Sequence, residues 1–195
     1  MAVKRELLLI IGLLLIIVVL VKAIEFFQLN VVEADASKFV VEDLRNKYPT
    51  ADIAVMSIVD KYNERGGKYF EVKAKVTQNA DGPCPKRSHI YYNYPVQNFV
   101  PQPPEVITNN CVVCTEGICT VAFSEEAIIA SHTFSGTEDI QSYLSANPNA
   151  VPTVTEKLET DSWLVKWDST TAAYYYLVEI HRDGRVLSVK KLEKS

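Results

Sequence analysis

Four cysteines are the residues with the clearest chemical potential in this chain of 195 residues. They are Cys84, Cys111, Cys114 and Cys119. An even number of cysteines in an oxidising compartment predicts disulfides, here two. If residues 115–118 form a hairpin loop, Cys114 and Cys119 face each other across it, which leaves Cys84 to pair with Cys111. The sequence favours this connectivity among the three that four cysteines allow.

Two other uses of the cysteines stay open. A zinc site takes thiolates alone or thiolates with histidine, and the Cys111-x-x-Cys114 turn supplies two ligands. His89 could replace a missing one, although a zinc ribbon uses two such turns and this chain has one. Thiol–disulfide redox chemistry is the other use, but a reactive CxxC normally opens a helix. Val112, Val113 and the Thr115-Glu116-Gly117 turn favour a strand instead. We therefore favour the two disulfides and predict no metal site and no cofactor.

The other polar residues form no recognisable catalytic set. His89, His132 and His181 are far apart in the sequence. The chain has no HExxH metal motif, no G-x-S-x-G nucleophile motif and no paired-carboxylate pattern. Glu125 and Glu126 stand where acidic side chains favour the start of a helix. We therefore predict no catalytic residues and a protein that is not an enzyme.

Tyrosines supply a candidate binding surface. The chain has ten of them, and most lie in segments predicted to be strands, of which five are candidates for a binding face. These five are Tyr91, Tyr92, Tyr94, Tyr174 and Tyr176. Aromatic side chains are enriched at the core of protein interfaces, so the five could form an exposed binding face. Ordinary strand packing, with the hydroxyl groups at the rim, is the alternative.

The stretch Leu7–Val21 is an unbroken apolar run. Extended to Phe27, with Lys22 snorkelling to the interface, it predicts a transmembrane helix. Lys4 and Arg5 precede the run, which predicts a single-pass protein of the cell membrane with a cytoplasmic N-terminus and the C-terminal domain outside. The alternatives are a cleaved signal peptide, a buried core helix and a pilin-like helix that assembles filaments.

The remaining chain predicts an α+β protein in which a helix packed on antiparallel sheet occurs twice. Predicted helices cover 36–48, 124–131 and 138–145, and predicted strands cover 51–62, 68–77, 88–94, 153–159, 162–168, 174–181 and 185–192. The predicted domains are an N-terminal transmembrane anchor with flanks (1–27), a first α+β unit (28–100), a Pro/Cys-rich connector (101–122) and a second α+β unit (123–195).

The C-terminal stretch Tyr174–Val189, YYYLVEIHRDGRVLSV, resembles the end of a PepSY domain. Such domains finish with an aromatic-led strand, an Asp-Gly-type turn and a strand of the form G-x-V-x-x-V, here Gly184, Val186 and Val189. The segment SEEAIIAS (124–131) is similar to the helix that opens them, and an insertion at 133–152 departs from the pattern. The resemblance implies a cystatin-like helix on a curved sheet, a location outside the cytoplasm, and binding or inhibition of partners such as peptidases.

The net charge of −4 is mild, and no basic stripe interleaved with aromatic residues indicates nucleic-acid binding. We therefore predict a membrane-anchored, extracytoplasmic, non-catalytic protein that binds or modulates another protein of the cell envelope. Its predicted partners are membrane lipid, through the N-terminal helix, and an envelope protein, while the oligomeric state stays open. The alternatives are a metal or thiol-redox centre at the cysteines and a pilin-like structural subunit.

Overall fold

The computed structural model describes residues 11–23, 32–64, 66–95, 102–114 and 119–194. Over these residues the protein is α+β, with two four-stranded antiparallel sheets whose strands follow chain order. Each sheet is preceded by helix in the sequence, as the pattern of periodicities predicts.

The predicted transmembrane helix is wrong. Among the residues that the structure describes, no helix is both long enough and apolar enough to cross a membrane. The described part of helix α1 is residues 11–23, which corresponds to about 20 Å at ~1.5 Å per residue. The hydrocarbon core of a bilayer is about 30 Å thick. The flanks that lengthened the predicted span, 7–10 and 24–27, lie outside the described residues.

The first sheet packs on one helix. Helix α2 is Glu33–Lys47, and the strands are β1 Asp52–Tyr62, β2 Lys68–Gln78, β3 Lys86–Tyr94 and the short β4 Glu105–Val106. In β2 the alternate residues from Phe70 to Val76 are buried and pack with Val40 and Leu44 of α2. This arrangement follows from the period of two along a strand and confirms the predicted inner face of β2.

The second sheet packs on two helices. They are α3 Ser124–Thr133 and α4 Glu138–Ala146, and the strands are β5 Val151–Lys157, β6 Ser162–Asp168, β7 Tyr174–His181 and β8 Val186–Glu193. Trp163, Val165 and Trp167 of β6 lie in the core. Strand β5 was predicted to reach residue 159, but it ends earlier because a 3-10 turn at Leu158–Thr160 and a left-handed Asp161 reverse the chain.

The turn between β7 and β8 requires glycine. Gly184 has φ +87°, and a Cβ there would lie 2.7 Å from the Cys119 sulfur. The amide N–H of Gly184 donates to the carbonyl of His181 at 2.9 Å and closes the turn. The hairpin predicted from Asp183-Gly184 is therefore confirmed, and the Cys119 sulfur packs directly over it.

Helix α3 is buried by both halves of the molecule. Seven of its ten residues are buried, Glu125 and 127–132, so it lacks the polar face of a surface helix. Ala127, Ile128 and Ala130 belong to the core of the second sheet. Glu125 instead bonds to side chains of the first sheet. This helix therefore joins the two sheets.

Candidate functional site at the junction of the two sheets

A buried ion pair joins the first sheet to helix α3. Arg87 and Glu125 are only 6% and 5% exposed. Arg87 Nη1 lies 2.8 Å from Glu125 Oε2, and Thr77 Oγ1 donates to Glu125 Oε1 at 2.8 Å. The Phe123 ring covers the guanidinium, 3.7 Å from ring centroid to Cζ. Each charge is therefore both paired and hydrogen-bonded, as a buried charge requires.

The two glutamates at the start of α3 have different roles. Burial raises the pKa of Glu125, but the hydrogen bonds from Arg87 and Thr77 more than offset it and hold that pKa below 4.5. Glu126 accepts the backbone N–H groups of Ala122 and Phe123 at 2.7 and 2.9 Å, while burial raises its pKa. Glu126 thus lies at the helix start, where an acidic side chain was predicted, and caps the helix with its carboxylate, whereas Glu125 is committed to the junction.

His89 extends the network toward the surface. The N–H of Arg87 Nε can only donate, so His89 Nε2 accepts it at 3.1 Å. The proton of the neutral ring then lies on Nδ1, which donates to Glu105 Oε2 at 3.1 Å. Tyr91 donates to the same oxygen at 2.8 Å, and Lys73 Nζ lies 3.4 Å from it. Because protein partners occupy both ring nitrogens, His89 is a neutral link in this network.

Stability is expected to fall as the pH drops below about 6.5, the ordinary pKa of histidine. Burial lowers the pKa of His89. The hydrogen bond to Glu105 raises that pKa, but the positive charges of Lys73 and Arg87 lower it, and the net shift is downward. Below pH 6.5 the unfolded chain then binds more protons than the native state. The free energy of unfolding therefore decreases with falling pH, by up to about 1.4 kcal/mol per pH unit from His89 alone, and the lowered pKa of His132 adds to the slope in the same direction.

Urea unfolding between pH 7.5 and 5 measures this slope. His89→Gln keeps a polar side chain but cannot titrate, so the variant should show a flatter dependence of unfolding free energy on pH. Equal slopes in the two proteins would show that His89 is not the group responsible.

The four cysteines form two disulfides with the connectivity that the sequence favours. Cys84 bonds to Cys111, and Cys114 bonds to Cys119. All four lie in the described residues and none is free, while the predicted hairpin loop at 115–118 lies outside them. Disulfides persist in oxidising compartments, so this pairing indicates an extracytoplasmic protein.

A buried histidine of α3 lies against the first disulfide. His132 is 8% exposed, and its Nε2 lies 3.3 Å from Cys111 Sγ. Its Nδ1 lies 2.9 Å from the Ile128 carbonyl, which can only accept, so Nδ1 carries the proton. Burial lowers the pKa of His132, which keeps the ring neutral. The unprotonated Nε2 therefore faces the sulfur.

Removal of the two disulfides is expected to have unequal effects. Cys84 and Cys111 are 27 residues apart, whereas Cys114 and Cys119 are five apart. In the chain-entropy model the longer loop contributes about 3.5 kcal/mol and the shorter about 2 kcal/mol. Unfolding of the two paired Cys→Ala variants in urea measures the difference. A larger loss from the 114/119 variant would contradict this ranking.

The five tyrosines suggested as a binding face do not share one surface. Within β3, Tyr92 and Tyr94 face α2, where their rings lie 6.5 and 5.3 Å from that of Phe39. The Tyr92 hydroxyl also donates to Asp43, and burial raises its pKa. Tyr91 lies on the opposite face of the strand, within the His89 network. The first three tyrosines are thus divided between two environments.

The other two tyrosines pack inside the second half. Tyr174 and Tyr176 of β7 lie 5.4 and 5.3 Å from the ring of Tyr143 on α4, and 5.9 Å from each other. Both are only partly exposed and pack against the core. The geometry therefore gives these side chains a packing role.

Sequence analysis missed the residues that form the junction. Arg87 was not singled out, Glu125 was assigned to the helix start, and His132 was treated as isolated. One weak signal existed: Glu125 and His132 stand on either side of the apolar run Ala127–Ala130 of a short helix. A charged residue in such a segment is buried only when it has a partner, but the sequence does not identify that partner.

No known protein family matches the chain, and no curated protein does. Among solved structures, the chain is similar to one described as a putative lipoprotein from Clostridium difficile 630, at 11% sequence identity and a TM-score of 0.25. The match covers 78% of this chain and 90% of that chain. At this TM-score the likeness carries no argument about fold or function, and the PepSY resemblance stays a prediction.

Proposed function

We propose that this protein is a non-catalytic, extracytoplasmic component of the cell envelope that binds or modulates another protein. The surface proposed for binding is the open face, the side of the second sheet turned away from α3 and α4. Its apolar centre consists of Leu164, Tyr175, Leu177 and Leu192. The observation that carries the proposal is that these side chains alternate with the core-facing residues along their strands and so share the other face of the sheet.

The register of the strands brings the apolar centre together. Lys166 pairs with Leu177 across β6 and β7, and Tyr175 pairs with Leu192 across β7 and β8. Lys166 Nζ lies 4.5 Å from the Tyr175 ring centroid, which adds a cation–π contact at the centre. Aromatic and aliphatic side chains framed by lysine form the kind of surface that protein interfaces use.

The charges of the open face favour an acidic partner. Its lysines are Lys157, Lys166, Lys190 and Lys194, and its carboxylates are Asp168 and Glu179. Lysines exceed carboxylates here although the whole chain has a net charge of −4. Charge complementarity then selects a partner whose apolar patch is bordered by Asp or Glu.

The disulfides and the sequence resemblance support the same proposal. Two disulfides suit an extracytoplasmic compartment. PepSY domains, which the C-terminal half resembles, are associated with binding or inhibition of partners such as peptidases. The proposal therefore assigns the open face to protein recognition and assigns no catalytic residue.

Site-specific photocrosslinking of the full chain in its own cells tests the proposal. A photoreactive amino acid at Leu177 should give one discrete adduct, whose partner is identified by mass spectrometry. The same probe at Leu158, which is 79% exposed on the 3-10 turn, is the matched control and should not give that adduct.

Charge reversal adds the decisive comparison. Lys166→Glu combined with Lys190→Glu should reduce the Leu177 adduct at least tenfold if an acidic partner binds the open face. Equal adducts from Leu177 and Leu158, or an adduct that the charge reversal leaves unchanged, would contradict the proposal.

A further inference from the structure

Three side chains that bind metals meet at the edge of the junction. Cys84 Sγ, Cys111 Sγ and His132 Nε2 all lie within 4.8 Å of one another. Within the described ranges this is the one group of three or more His, Cys, Asp or Glu side chains close enough to hold an ion. The cysteines flank the first sheet and His132 belongs to α3. The packing of α3 against the first sheet therefore brings the three side chains together.

His132 is oriented as a metal-ligating histidine is. Its Nδ1–H donates to the Ile128 carbonyl at 2.9 Å, and its Nε2 faces the Cys111 sulfur at 3.3 Å. A metal-bound histidine usually makes such a bond with its second nitrogen, which fixes the tautomer and the ring plane. The ring also packs edge-on against Trp167, with centroids 5.7 Å apart. A 92% buried nitrogen base is thus held in place beside the sulfur.

From this geometry we propose that reduction of the Cys84–Cys111 disulfide opens a zinc site. The ligands are the two cysteine thiolates and His132 Nε2. This Cys2His set leaves a fourth tetrahedral position for water or for a ligand from a partner. With Zn–S bonds of about 2.3 Å, the two sulfurs separate to about 3.7 Å, which rotation of the cysteine side chains supplies.

Reduction of the Cys84–Cys111 disulfide forms the site, and reoxidation of the two thiols to the disulfide removes it. A dithiol reductant transfers two electrons and two protons to the S–S bond, giving two thiols and the oxidised disulfide of the reductant. Zinc then displaces the two thiol protons as it binds. The Cys84 and Cys111 residues are only partly buried, so both a reductant and a metal ion can approach. The proposal goes beyond partner binding and does not depend on the open face.

The test uses the full chain carrying Cys114→Ser and Cys119→Ser, which leaves the Cys84–Cys111 pair alone. The protein is titrated with Co2+, a spectroscopic probe for zinc sites, before and after reduction with a phosphine. The reduced protein should bind one Co2+ per chain with a thiolate-to-cobalt charge-transfer band, and the oxidised protein should not. Adding His132→Gln, which keeps both thiols, should weaken Co2+ binding at least tenfold, and Zn2+ should displace Co2+.

Two results would overturn the proposal. One is the absence of a reduction-dependent charge-transfer band. The other is equal affinity with and without His132. If reduction alone unfolds the chain, Zn2+ must restore the near-ultraviolet circular dichroism of the native protein, to which the buried Trp167 contributes. Failure of Zn2+ to restore that signal would count equally against the site.

Discussion

Arg87→Ala is expected to lower the free energy of unfolding by about 3–5 kcal/mol. The substitution leaves the Glu125 carboxylate, 5% exposed, without the guanidinium 2.8 Å away. Thr77 and Ser124 still donate to this carboxylate, and Lys75 Nζ lies 3.8 Å from its Oε1, but none of them replaces the close charge-assisted bond from Arg87. The cost is therefore that of a buried charge that has lost its main partner, which exceeds the net contribution of the pair. Unfolding in urea at pH 7, with the midpoint and the slope both reported, measures it.

Two controls distinguish a buried pair from a surface pair. Arg185→Ala removes an arginine that is 69% exposed and pairs with Asp183 in a turn, and it should change stability little. Arg87→Met combined with Glu125→Leu removes both charges and should recover most of the loss. If Arg87→Ala costs no more than Arg185→Ala, the buried pair does not hold the junction.

Trp167→Ala is expected to cost about 3–5 kcal/mol. Trp167 is fully buried in the second core, and its indole N–H donates to Ser131 Oγ at 2.8 Å. The substitution removes a large apolar side chain and leaves a cavity beneath α3, next to His132. Thermal and urea unfolding both measure the effect.

The matching control is Leu158→Ala. Leu158 is 79% exposed on the 3-10 turn, so its removal should change the unfolding free energy by less than about 0.5 kcal/mol. Trp167→Phe keeps part of the packing and should fall between the two. A loss from Trp167→Ala no larger than that from Leu158→Ala would contradict the assigned core.

The sequence predicted the strands whose signals are local. Predicted strands 162–168 and 174–181 match β6 and β7 residue for residue. In β6, Trp163, Val165 and Trp167 alternate with residues that are polar except for Leu164, and the Asp183-Gly184 turn marks the end of the hairpin. A period of two and a glycine that must adopt positive φ are properties of a few neighbouring residues.

The junction could not be predicted in the same way. Arg87 and Glu125 are 38 residues apart, and Thr77 and Glu125 are 48 apart. No spacing rule connects strands of the first sheet with a helix so distant in the sequence, so a charge at the start of α3 resembled an ordinary helix-start residue. His132 was missed for the same reason, because its proximity to Cys111 arises only when α3 packs against the first sheet.

The N-terminal prediction failed for a different reason. It rested on the composition of Leu7–Val21 and on flanking residues counted into the span. Composition indicates an apolar segment, but spanning a bilayer also requires a continuous helix of about 20 residues. No helix among the described residues meets both requirements.

The disulfide framework is the central claim, because the compartment and the proposed zinc site both depend on it. Its most direct test is the intact mass of the full chain, purified without reductant and alkylated in native buffer, then in denaturant, then after reduction. The structure predicts no alkylation in the first two steps and four alkylated cysteines in the third. A proteolytic digest made without reductant should contain peptides linked through Cys84–Cys111 and through Cys114–Cys119. Alkylation in denaturant without reductant would contradict it.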